Sequence, residues 1–145
     1  MELGDDYFMK QALKEANKAL EEDEVPIGAV VVADGQIIGR GYNQSMRLTD
    51  ATAHAEILAL TAAFQYMGSQ VLEDAQLYVT VEPCSMCAGA LKWARIGKLV
   101  FGTDEPKSGY SLYKPSLLHK NTEVVKGVLQ DESRFLMQEY FRSKR

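Results

Sequence analysis

Gln76-Leu77-Tyr78-Val79-Thr80-Val81-Glu82-Pro83-Cys84-Ser85-Met86-Cys87-Ala88-Gly89-Ala90 is the stretch that decides the fold. Leu77, Val79 and Val81 alternate with Gln76, Tyr78 and Thr80, the period of a strand, and Pro83 then opens a helix over Cys84 to Ala94. Leu99-Val100-Phe101 follows as the next strand. A strand, a helix and a strand at this spacing imply parallel pairing through a right-handed crossover. Upstream, Asp5 or Asp6 can cap a helix to Glu22 that buries Met9, Leu13, Ala16 and Leu20 and leaves Lys10, Lys14, Glu15 and Lys18 in water. Ile27 to Ala33 and Gln36 to Asn43 read as strands around an Asp34-Gly35 hairpin turn. A polar stretch leads to a buried helix over Ala53 to Tyr66. After a loop over 103–121, Glu123 to Leu129 reads as an edge strand, and Asp131 caps a last helix through Phe141. The expected architecture is one α/β domain over residues 1–145, three-layered α/β/α with a mixed, largely five-stranded sheet.

Composition narrows the chemistry. The 145 residues are 46% hydrophobic and 25% charged, which excludes disordered and fibrous classes. Two cysteines cannot staple a secreted scaffold, so they form one bridge, one redox pair or part of a metal site. The acidic start lacks the pattern of a signal peptide, and no run approaches the roughly 18 apolar residues of a membrane span. A cytoplasmic protein with reduced thiols and no membrane partner is expected. The net charge of −4 divides into −9 over residues 1–85 and +5 over residues 86–145, so the last third can present a basic surface.

Chemistry concentrates in His54-Ala55-Glu56 and in Pro83-Cys84-Ser85-Met86-Cys87, both at helix starts. Cysteines three apart at a helix N-terminus share a face, and the helix dipole favours thiolate. Two thiolates and one imidazole select zinc, and three protein ligands leave the fourth tetrahedral position open, as in catalytic sites. Three blander arrangements use the same residues: a thioredoxin-like redox pair, a closed structural zinc site recruiting His119, and a buried histidine among core cysteines. Structural sites bring their ligands as close pairs, which His54 and His119 lack, and Glu56 argues against the other two. A carboxylate two residues from the histidine, among small and apolar neighbours, is the natural proton shuttle for a metal-activated water.

These residues resemble a known family. His54-Ala55-Glu56 with Pro83-Cys84-Ser85-Met86-Cys87 is the signature of zinc-dependent nucleobase deaminases of the cytidine/deoxycytidylate type. Within it the chain is most similar to bacterial tRNA-specific adenosine deaminases, through Glu24-Val25-Pro26-Ile27-Gly28, Gly41-Tyr42-Asn43, Lys107-Ser108-Gly109, Leu117-Leu118-His119 and the ending Tyr140-Phe141-Arg142-Ser143-Lys144-Arg145. Lys92-Trp93-Ala94-Arg95 is closer to guanine deaminases, and Tyr110 to Lys114 lacks an expected small-residue run. The resemblance implies a cytidine-deaminase-like fold and hydrolysis of wobble adenosine to inosine. It implies one Zn2+ on His54, Cys84 and Cys87, a zinc-bound hydroxide as nucleophile, and Glu56 as the catalytic proton shuttle.

It also implies that Asn43 hydrogen-bonds the base and that the main chain near Ala55 and Cys84 shapes the pocket. The partner is a tRNA anticodon stem-loop, whose bases are already single-stranded. Asp104, Lys107, Phe141 and Arg142 are the expected substrate contacts, joined by Lys114, Lys120, Lys144 and Arg145 on phosphates and by Tyr110 or Tyr113 on bases. A homodimer is expected by the same resemblance. The alternatives left open are a guanine, cytosine or nucleoside deaminase acting on a free small molecule, and a structural zinc module that binds RNA or protein.

Overall fold

The computed structural model describes residues 3–144. Its elements run α1 (Asp5–Glu21), β1 (Gly28–Ala33), β2 (Gln36–Tyr42), α2 (Ala55–Met67), β3 (Ala75–Val81), α3 (Ser85–Ala94), β4 (Lys98–Thr103), a short 3-10 turn (Tyr110–Leu112), β5 (Glu123–Lys126) and α4 (Gln130–Ser143). The strands form one sheet in the order β2-β1-β3-β4-β5. β1 is antiparallel to β2 and β3, whereas β3–β4 and β4–β5 are parallel. The mixed five-stranded sheet expected from the sequence is present.

Each face of the sheet carries its own core. Phe8, Met9 and Ala12 of α1 cover Val30, Val32, Tyr78 and Val100 on one face. On the other, Ala55, Ala59 and Leu60 of α2 and Ala88 and Leu91 of α3 cover Val31, Leu77, Val79, Leu99 and Phe101. Each fully buried Val, Leu or Phe contributes about 1.5–3 kcal/mol, so the central strands anchor both layers. Asp34 and Gly35 take φ of 54° and 72°, closing the β1–β2 hairpin in the left-handed conformation their residue types tolerate. The alternation of β2 is broken once, where the pairing steps from Val31–Gly39 to Val32–Ile37 and leaves Ile38 as a bulge.

Four local expectations are corrected by the structure. Gly4, not an aspartate, is the N-cap of α1. Asp5 instead accepts from the Tyr78 hydroxyl at 2.6 Å and from Lys98 Nζ at 3.1 Å, tying α1 to β3 and β4. Glu15 is buried, because Lys18 and Arg40 reach it at 2.9 and 3.4 Å. Leu129, with φ 52°, is the N-cap of α4, so Asp131 lies inside its first turn, and Gly127 at φ 81° ends β5 before the expected Leu129.

One edge of the sheet gathers the chain's chemistry. Gly28 at the start of β1 pairs with Tyr42 at the end of β2, and its N–H donates to Thr80 Oγ1 at 3.2 Å near the end of β3. Val81 pairs with Thr103 at the end of β4. Asn43, Glu82 to Cys84 and Asp104 therefore all leave the sheet at this edge. α2 is brought down onto β2 there by Gly41, where a Cβ would lie 2.4 Å from the Ala55 carbonyl oxygen.

Gly41→Ala is expected to cost about 1–3 kcal/mol of unfolding free energy, because the displaced backbone belongs to the first turn of α2. Gly89→Ala in α3, where a Cβ meets open space, is expected to stabilise by up to about 1 kcal/mol. Urea denaturation of both variants checks the pair.

Candidate metal centre and active site

His54 and Cys84 are both N-cap residues, of α2 and α3, in extended conformation with φ/ψ of −79°/155° and −74°/177°. Neither side chain caps its own helix. They turn towards each other instead. Cys87, one turn into α3, completes the group: His54 Nδ1 lies 3.6 Å from Cys84 Sγ and 3.6 Å from Cys87 Sγ. These three ligand atoms lie within 4.8 Å of one another and could hold a metal ion. Cys87 is buried, and His54 and Cys84 are partly open, so one side of the group faces outwards.

Glu56, the second residue of α2, is only 4% exposed. Burial pushes its carboxyl up to about 7, against the pull of its own helix-terminal N–H, and charge on Cys84 adds to the rise. The Cys87 thiol beside Cys84 holds Cys84 down to about 4, with His54 helping, while the same pairing drives Cys87 far up. The imidazole of His54 is raised, chiefly by its contact with Cys84. One sulfur is thus already anionic in a site closed by helix termini, which is what a soft cation requires.

Asn43 is buried at the end of β2, with its N–H donating to the Ile27 carbonyl at 3.1 Å. Ala55 is fully buried, and its carbonyl abuts Gly41. Asp104, Lys107, Phe141 and Arg142 are brought together on one open cleft of about 940 Å³, which also takes in Arg134 and Lys144. The cleft starts at Val81, so it adjoins the strand end that delivers Cys84, but His54, Glu56, Cys84 and Cys87 do not line it.

The other expected contacts scatter. Lys120 and His119 lie beside Arg95 and Gly97 in a separate hollow at the opposite end of the sheet, and His119 Nδ1 accepts from Asn121 N–H at 3.1 Å, away from the metal group. Tyr110 is 7% exposed, packed edge-on against Phe101 at 6.3 Å, so it is a core wedge and cannot stack on a base. Tyr113 and Phe141 remain exposed, as does Lys114. Lys144 is engaged with Asp23 at 2.6 Å. Arg145 lies outside the described residues. Trp93, in the segment that departs from the tRNA enzymes, is 83% exposed, and nine residues of helix put it about 13 Å along the axis from Cys84.

Two residues escape sequence reasoning. Glu24 is buried and accepts the N–H groups of Met46 and Arg47, at 3.3 and 2.6 Å, fixing the loop between Asn43 and His54. Glu82 does the same for the loop after β4. The available signal was an acidic residue within two positions of a proline at a strand end, which more often marks a solvated turn.

A family model for MafB19-like deaminases matches residues 4–145. The chain belongs to that deaminase family. Among curated proteins, the tRNA-specific adenosine deaminase of Agrobacterium fabrum is 44% identical over 144 residues, covering 96% of this deaminase and 95% of that protein. The tRNA-specific adenosine deaminase of Bacillus subtilis is 44% identical over 146 residues, covering 97% and 91%. A structure solved in a study of A-to-I editing by tRNA:A34 deaminases at the wobble position superposes with a TM-score of 0.84 at 43% identity, covering 90% of this chain and 98% of that one. A guanine deaminase from Nitrosomonas europaea shares the fold at 24% identity and a TM-score of 0.81, covering 97% and 86%. The resemblance to tRNA-specific adenosine deaminases read from the motifs is thereby borne out.

Removing metal with a chelator is expected to lower the melting temperature, and returning one equivalent of Zn2+ to restore it with release of protons, because the ion replaces the proton shared by the thiols. Cys87→Ser and His54→Ala should abolish that restoration. Differential scanning calorimetry with and without metal reads the result.

Proposed function

We propose that this deaminase hydrolyses adenosine to inosine at the wobble position of tRNA anticodons, with one Zn2+ on His54, Cys84 and Cys87. The observation that carries the reading is the buried carboxylate of Glu56 beside this three-donor group, in a chain 44% identical over nearly its whole length to tRNA-specific adenosine deaminases. The donor set fits zinc. Tetrahedral bonds of about 2.3 Å to sulfur and about 2.1 Å to imidazole nitrogen separate N and S by about 3.6 Å, and both cysteines lie 3.6 Å from Nδ1.

When bound, the ion supplies acidification of the attacking water, from a pKa of about 15.7 towards about 7. A carboxyl itself placed at about 7 is matched to take that proton at neutral pH. Water attacks the carbon that bears the amino group, and Glu56 moves the proton to the adjacent ring nitrogen. The second proton of the water passes by way of Glu56 to the amino group, which leaves as ammonia. Adenosine and water become inosine and ammonia. Asn43, at the same sheet edge, hydrogen-bonds the base, and the main chain of Ala55 and Cys84 bounds the pocket.

The cleft of Asp104, Lys107, Phe141 and Arg142 receives the anticodon loop. Phe141 is 48% exposed and offers a ring to a flanking base. Arg142 pairs with the partly exposed Glu139, and Lys144 with the exposed Asp23 while resting over the Tyr140 ring, and such surface pairs are weak enough for a phosphate to replace them. The enzyme acts as a homodimer in the cytoplasm. The exposed Tyr66 and Trp93, on the layer formed by α2 and α3, support a covered face there. No helix among the described residues is long and apolar enough to cross a membrane.

Incubation with an anticodon stem-loop, free adenosine, guanine and cytosine in parallel tests the substrate, with products read by mass spectrometry. Inosine should form in the stem-loop, and activity there should fall steeply with salt. Turnover of a free base alone defeats the proposal. Glu56→Ala should keep zinc and lose about 10²- to 10⁴-fold in rate. Sedimentation of wild type and Trp93→Ala tests the dimer, which the substitution should weaken.

A further inference from the structure

Glu82 stands between the two halves of the site and takes no part in the chemistry described above. It is 5% exposed, and its two carboxylate oxygens each accept a backbone N–H, Oε1 from Glu105 and Oε2 from Ser111, both at 3.0 Å. Both donors lie in the loop that leaves β4 carrying Asp104 and Lys107 into the cleft. The same loop is stitched to the strand that ends in the metal ligand. Gly109 forms an antiparallel bridge with Cys84, and Tyr110 N–H donates to the Pro83 carbonyl at 2.9 Å.

Gly109 makes the arrangement specific. Its φ and ψ, −65° and 148°, suit any residue, so its backbone conformation does not call for glycine. Space does. A Cβ there would lie 2.4 Å from Glu82 Cδ and 2.5 Å from both carboxylate oxygens. The carboxylate occupies the volume that any side chain at position 109 would need, and it cannot yield without dropping its N–H partners.

We infer that Glu82 is a positioning residue that locks the loop 104–112 onto the Cys84 end of the metal site, fixing the distance between the cleft and the reacting carbon. This deepens the reading of the cleft as the anticodon-loop site and rests on it. Each acceptor bond is charge-assisted and buried, so losing both frees a loop that substrate binding must then order. The consequence falls on substrate capture more than on the proton transfers at Glu56.

The experiment uses the zinc-loaded full chain, with Glu82→Gln, Glu82→Ala, Gly109→Ala and the double variant Glu82→Ala/Gly109→Ala. For the anticodon stem-loop, Glu82→Gln and Gly109→Ala are expected to raise KM about tenfold, the effect of one charge-assisted bond. Their kcat should stay within about twofold and their zinc content should match wild type. In the unfolding midpoint, Gly109→Ala should be costly alone and nearly silent once Glu82 is alanine, because the clash has gone. Unchanged KM in Glu82→Gln, a loss confined to kcat, loss of zinc, or additive effects in the double variant each overturn the inference. A wild-type enzyme that does not convert the stem-loop defeats the tRNA reading instead, and the Glu82–Gly109 coupling in unfolding, which needs no substrate, then reports on the lock by itself.

Discussion

The N-cap side chains of two helices meet at 3.6 Å, and the rest of the fold is arranged around that meeting. α2 and α3 each start from an N-cap residue in extended conformation, and each spends that residue's side chain on the other helix instead of on its own free N–H groups. His54 and Cys84 give up capping, which is worth about 1 kcal/mol per helix. In return the positive ends of two helix dipoles face the Cys84 sulfur, whose pKa the Cys87 thiol and His54 hold low. The parallel pairing of β3 and β4 fixes where α3 starts, and the close approach of Gly41 to Ala55 fixes where α2 starts. Without both constraints the imidazole and the sulfurs would not share a centre.

Buried carboxylates appear three times around this point, in two different roles. Glu56 is buried with little compensation, and its proton affinity rises into the range useful at neutral pH. Glu24 and Glu82 are buried with full compensation, each accepting two backbone N–H groups from a loop that rims the sheet edge. A carboxylate satisfied in this way orders irregular backbone more strongly than a neutral acceptor would. What separates Glu56 from the two loop anchors is therefore the number of donors facing it, not the residue type.

The candidate ligand group and Glu56 were legible in the sequence because their spacing is local: two cysteines three positions apart at the start of α3, and a histidine and a glutamate two positions apart at the start of α2. The strands showed because β3 alternates with the period of a strand and β4 carries the short apolar run Leu99-Val100-Phe101. Glu15 and Asp5 misled for the same reason that Glu24 and Glu82 escaped notice. An acidic residue on a helix or beside a turn is ordinarily in water, and only a partner distant in sequence, Arg40 for the buried Glu15 or Tyr78 for the half-buried Asp5, draws it inwards. Tyr110 looked like a stacking ring and is a wedge, since the loop folds back over Phe101.

The basic last third, counted as +5 in the sequence, splits in space. Lys107, Arg134, Arg142 and Lys144 gather on the cleft, while Arg95 and Lys120 lie at the far end of the sheet. A chain-level charge balance holds no direction, because strand order and helix crossing send neighbours in sequence to opposite ends of the domain. By itself the sequence determined the candidate ligand group, the layer order and the family resemblance, all of which depend on residue type and short spacing. Only the tertiary structure decided which cations share a surface, which acids are buried, and how the segment ending at Cys84 is joined to the loop after β4. Those depend on contacts between residues far apart in the chain, and no local pattern encodes them.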